Sequence, residues 1–119
     1  MISSDNSDMQ IQELMPKEAK FDIGQLITHK LFDYRGVIVD IDPIYLGSEE
    51  WYQKMAKSKP PKNAPWYKVL VNDSLYETYV AERNLRADTS IDSIDHPMIL
   101  TYFDDFQGGK YINHSWQKN

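Results

Sequence analysis

The chain has 119 residues, 41% hydrophobic and 13% aromatic, which suits one domain with a modest core rather than two. Its formal net charge is −5, so no overall positive field draws it to phosphates, and with no cysteine there is no disulfide or thiolate chemistry. No stretch nears the roughly 20 apolar residues of a membrane span, and the start lacks the basic and apolar regions of a secretory signal; a soluble, cytoplasmic protein is predicted.

Residues 1–20 read as a flexible arm. Ser3 to Asp8 is too polar to be held by burial, and Ile11, Leu14 and Met15 offer one apolar turn before Pro16. From Phe21 the pattern turns strand-like: Val37, Val39 and Ile41 alternate with Ile38, Asp40 and Asp42, the period of two that puts one face in a core. An insertion follows, in which Ser48 is a good helix N-cap, Glu49 and Glu50 occupy the first turn, and Trp51, Tyr52 and Met55 can share an apolar face. Pro60-Pro61 stops it. Trp66 to Val71 alternates again, Asn72-Asp73-Ser74 supplies a turn, and Tyr76 to Ala81 returns as the second strand of a hairpin. Beyond residue 88, Pro97 suits a first helical position, with Ile99, Tyr102, Phe103 and Phe106 at helical spacing. Gly108-Gly109 would end that helix, and Lys110 to Ile112 would add a short strand.

These elements predict a mainly β protein: a small antiparallel barrel at 21–87 with a helical insertion, and an extension at 88–119 whose helix packs on the barrel. Charge is unevenly spread. Residues 21–87 hold nine basic and nine acidic side chains, whereas both flanks are acidic.

Two surfaces are candidates for function. Trp51, Tyr52, Trp66 and Tyr67 border the predicted loops and form a candidate protein-contact surface, because rings beside the loops of small barrels often line peptide grooves. Lys54, Lys57, Lys59 and Lys62 are four cations without an intervening acid, flanked by rings, and form the alternative: a grip on phosphates while bases stack. A solvated loop, with Glu50 and Lys54 paired one helical turn apart, reads the same lysines more simply. His29, His96 and His114 lack metal-ligand spacing, and no metal or cofactor is predicted. Asp40 with Asp42, and Asp104 with Asp105, read as solvated carboxylates, and neither a phosphate-binding glycine loop nor a serine-nucleophile motif is present, so no catalytic residue is predicted.

Phe21-x-Ile-Gly-Gln, then Gly36-Val-Ile-Val-Asp-Ile-Asp-Pro-Ile-Tyr45, Ala64-Pro-Trp-Tyr-Lys-Val-Leu-Val71 and Thr78-Tyr-Val-Ala-Glu-x-x-Leu85 together resemble the YccV-like family. This family takes in the heat-shock protein HspQ and is also labelled the hemimethylated DNA-binding domain. The His96-Pro97, Tyr102-Phe103, Phe106-x-Gly108 and Tyr111 series is similar to the tail of its longer plant and F-box-associated members. The resemblance implies an SH3-like barrel and two functions. One is partnership with ATP-dependent proteolysis, of the Lon or Clp type, or with its substrates, in stress-response quality control. The other is binding of hemimethylated DNA at replication-origin sequences. It also allows a homo-oligomer. The reading drawn from residues and resemblance together is a non-enzymatic protein-binding adaptor, with DNA binding as the alternative.

Overall fold

The computed structural model describes residues 18–117, so the predicted arm lies outside it but for its last three residues. Five strands form one antiparallel sheet: β1 (Leu26–His29), β2 (Arg35–Asp42), β3 (Trp66–Val71), β4 (Glu77–Ala81) and β5 (Leu85–Ala87), in the spatial order β4-β3-β2-β1-β5. The edges β4 and β5 are joined by a single 3-10 turn, Glu82–Asn84. Five strands about 4.8 Å apart would separate the edges of a flat sheet by about 19 Å. Four steps of about 3.8 Å from Ala81 to Leu85 cannot span that, so the sheet must curl. Val80 of β4 and Leu85 of β5 duly share a core with Ile27, Ile38, Tyr67 and Val69. No β4–β5 ladder forms among the described residues, so the predicted barrel stays open along this seam.

A bulge in β2 sorts its side chains between two cores. Ile38 pairs with Val69 but Asp40 pairs with Lys68, leaving Val39 as the extra residue. Simple alternation would put Ile41 with Val37 and Val39. The bulge reverses the phase, so Ile41 packs instead with Ile38 on the concave face. The convex face holds Leu26, Val37, Val39 and Leu70, which the C-terminal extension covers with Ile94, Phe103 and Tyr111.

That extension departs from the predicted helix. Helix α2 is a single turn, Ile99–Tyr102, after which β6 (Asp105–Gln107) and β7 (Lys110–Ile112) form a hairpin. Gly108 and Gly109 have φ of 60° and 81° and are the two central residues of its turn, a conformation in which both positions need positive φ. Phe106 therefore sits on a strand, its ring 4.4 Å from that of Tyr111.

The insertion helix α1 (Glu49–Met55) forms as its N-cap predicts, the Trp51 amide donating to Ser48 Oγ at 3.0 Å. Its buried face is Tyr52, followed by Ala56 just past its end, whereas Met55 is 57% exposed. The Glu50–Lys54 pair is not formed. Glu49 takes the cation, from Lys62 beyond the prolines, and also accepts from Gln53 at 2.6 Å. Those two contacts, Gln53 first, hold the Glu49 carboxyl below its usual range.

Candidate binding site at the open edge of the sheet

Adjacent residues of a strand point to opposite faces, so Trp66 and Tyr67 cannot belong to one surface. Tyr67, fully buried, lies in the concave core and donates its hydroxyl to Glu82 at 2.5 Å. Burial, then that hydrogen bond, pushes its ionisation well above the ordinary tyrosine value. Trp66, 2% exposed, and Tyr52, 8% exposed, pack on the convex face with Ala56 and Ala81. Of the four rings predicted as a contact surface, three are therefore core, and Trp51 alone is half-buried.

Trp51 is the rim of a five-ring cluster. Tyr45 lies 4.8 Å from Trp66 and 5.4 Å from Tyr52, and Tyr79 lies 5.2 Å from Trp66 and 5.8 Å from Trp51. The Tyr52 hydroxyl and the Trp66 indole N–H donate to the carbonyls of Pro60 and Pro61, at 2.6 and 3.0 Å. The proline pair thus ties the insertion back to the rings. Tyr45 and Tyr79 escape a reading of contiguous segments, though the strand period in Glu77 to Ala81, which sets Tyr79 and Ala81 on one face, is a signal for Tyr79.

The lysine run divides in two. Lys62 pairs with Glu49 and sits 4.3 Å from the Tyr52 ring centroid, and Lys59 donates to the Gln53 carbonyl and side chain at 3.2 and 2.9 Å. Lys54 and Lys57 form no ion pair among the described residues. The four cations do not form one continuous grip.

Trp51, Lys54, Met55 and Lys57 instead wall a cleft of about 850 Å³ floored by every residue of β4. The opposite wall is the β1–β2 turn, with Leu31, Phe32 and Tyr34. The Tyr34 hydroxyl bonds Thr78 Oγ1 at 2.8 Å, which anchors this wall to the concave side of β4; the helix wall rises on the side of Tyr79 and Ala81. Phe32 is 74% exposed, a large apolar ring in water. Its position is fixed by His29, whose Nδ1 accepts the amides of both Leu31 and Phe32 at 3.1 Å and whose ring stacks on Phe32 at 4.7 Å. With Nδ1 an acceptor, the proton sits on Nε2. Burial lowers the basicity of this imidazole.

Among the described residues no group of three or more His, Asp or Glu is arranged to hold a metal. His114 pairs with Asp104 at 2.9 Å, and His96 orders its own turn, accepting the Met98 amide on Nδ1 at 3.1 Å while Nε2 meets the Tyr76 carbonyl at 3.0 Å. No helix of the described chain is long and apolar enough to cross a membrane.

A curled sheet with one unpaired edge at the bottom of an apolar, ring-walled cleft is the build of a small binding domain. Residues 19–110 match the family described as hemimethylated DNA-binding protein YccV like, and the chain belongs to this YccV-like family. The family is one of binding domains, not of enzymes. The match takes in residues past 87, so part of the C-terminal extension falls within it.

Proposed function

We propose that this protein is a protein-binding adaptor that holds a segment of another polypeptide in the β4 cleft, in the service of ATP-dependent proteolysis of the Lon or Clp type. The observation that carries the reading is the cleft itself: Leu31, Phe32 and Met55 are exposed, Trp51 is half-buried, and together they border an open strand edge. Exposed apolar surface of this kind marks an interaction site. The resemblance to the HspQ group, with the barrel it implies, supplies the proteolytic setting, and an acidic terminal flank supplies a second weak contact. The contact surface is narrower than a row of four rings and lies along Trp51, Phe32 and Met55.

The test is delivery. Trp51→Ala together with Phe32→Ser should leave thermal unfolding within a few degrees of the parent and yet impair degradation of a client by the cognate protease. Normal delivery by that double variant removes the cleft from the mechanism.

The family's description favours a second reading, hemimethylated DNA as the ligand. Lys54 and Lys57 would then be the phosphate contacts. This reading requires a preference for hemimethylated over fully methylated duplex at near-physiological salt, and a salt dependence that flattens when both lysines are replaced by Gln.

A further inference from the structure

The phase of the β3–β4 ladder decides which groups of β4 are left over. The Val71 amide donates to Tyr76 and the Glu82 amide to Pro65. In an antiparallel pair such bonds recur at every second residue. With Val69 opposite Thr78 and Tyr67 opposite Val80, the amides and carbonyls of Thr78 and Val80 turn toward β3. Those of Glu77 and Tyr79, and the amide of Ala81, therefore turn outward into the cleft. Edge strands are commonly blunted by charged side chains, above all lysine, by proline, by a bulge or by a covering element, and Glu77 is the single charge on β4. Over its five residues β4 (Glu-Thr-Tyr-Val-Ala) has no lysine, proline or bulge.

The walls add side-chain selection to this bare ladder. A strand laid beside β4 would direct alternate residues to its two faces. One set meets Leu31, Phe32 and Tyr34, an apolar wall. The other meets Trp51 and Met55 with Lys54 and Lys57, neither of which has a carboxylate partner among the described residues. Among the described residues Glu77 is the one acidic side chain lining the cleft, and Tyr102 already approaches it, Oη to Oε1, at 3.5 Å.

We propose that the cleft takes an extended segment of a partner protein, apolar at alternate positions and acidic between them, as an added strand hydrogen-bonded to β4. The inference rests on the protein-binding reading above and specifies its chemistry. Main-chain bonds to Glu77, Tyr79 and Ala81 provide attachment, and the two walls provide sequence preference. Charge complementarity to Lys54 and Lys57 selects acidic over basic segments.

The full chain is titrated with a fluorescein-labelled (Val-Glu)3 peptide, with (Val-Lys)3, and with two (Val-Glu)3 forms N-methylated at either all Val or all Glu amides. Expected are at least tenfold weaker binding of (Val-Lys)3, at least tenfold loss for one methylated form only, and new hydrogen-exchange protection at the Tyr79 and Ala81 amides. Lys54→Glu with Lys57→Glu should reverse the preference between the two charged peptides. Failure of (Val-Glu)3 to bind, equal binding of all four peptides, or unprotected Tyr79 and Ala81 amides in the complex would each overturn strand addition. If strand addition fails while Trp51→Ala with Phe32→Ser still abolishes client delivery, the adaptor reading stands without it. If delivery is untouched as well, both fall. Protection already present without peptide also overturns the proposal: loss of it on removing residues 1–17 identifies the chain's own arm as the occupant, and a rise with protein concentration identifies a second copy.

Discussion

At the scale of single residues, two side-chain identities carry consequences far from their own positions. Gly24 has φ of 92°, and a Cβ there would lie 2.1 Å from the Tyr111 carbonyl oxygen, which is backbone and cannot move aside. Gly24→Ala is therefore expected to destabilise the protein by about 2 kcal/mol or more. Gly108→Asn is the matched control, since its φ of 60° suits Asn and no atom lies within 4 Å of the added Cβ; it should cost about 1 kcal/mol or less. Urea unfolding of both variants separates the two effects. His29 gives a pH dependence of definite sign. Its native basicity is lowered by burial, so the unfolded chain binds the proton more readily. Stability is therefore full above the ordinary histidine value of 6.5 and declines as pH falls from there through the lower native value. Protonating Nδ1 would also break the two bonds that hold Leu31 and Phe32 in place. Urea midpoints between pH 7.5 and 5 should fall for the parent and fall less for His29→Gln; equal slopes would refute the assignment.

At the scale of elements, the buried rings separate scaffold from surface. Trp66→Ala removes the centre of the five-ring cluster and is expected to cost about 3–5 kcal/mol, whereas Trp51→Ala at the rim should cost well under half of that. Thermal melts of the pair test this ordering, and it is why Trp51 rather than Trp66 is the useful probe of binding. Asp88 gathers a second set of elements: Arg35 Nε donates to it at 2.6 Å and Thr28 Oγ1 at 3.2 Å, while Arg35 Nη2 reaches the Asp92 carbonyl at 2.6 Å. Asp88→Ala strands a partly buried guanidinium and should destabilise by about 1–3 kcal/mol. It should also raise hydrogen exchange in residues 88–94 ahead of the sheet. Much of this layer was legible in the sequence. The Ser48 cap, the Asn72-Asp73-Ser74 turn and the strand period of Trp66 to Val71 correspond to observed elements, because each is a local signal. The bulge at Val39 and the pairing of Gly108-Gly109 with a hairpin were not. Phe103 and Phe106 fit helical spacing in one dimension, and the packing of the 105–112 segment as strands, with Phe106 against Tyr111, overrode that period. Tyr67 was misread for a similar reason: an aromatic next to a loop looks accessible until strand phase assigns it a face.

At the scale of the whole molecule, the sheet is double-sided, with one apolar face curled on itself and the other covered by the extension and, at the Trp66 end, by the insertion. Removing residues 88–119 would bare Leu26, Val37, Val39 and Leu70, each buried in the intact protein. The shortened chain is expected to lose cooperative thermal unfolding and to bind a hydrophobic dye such as ANS, outcomes readable in a single melt. A sharp transition at the parent temperature would mean that the curled sheet is self-sufficient. The join between the first strand and the last hairpin has its own implication: the Tyr111 amide bonds the Gly24 carbonyl at 2.9 Å, and Gln25 bridges Lys110. Entry and exit of the folded unit thus lie shoulder to shoulder. Such a unit can be spliced into an exposed loop of a larger host without prising the host's own strands apart.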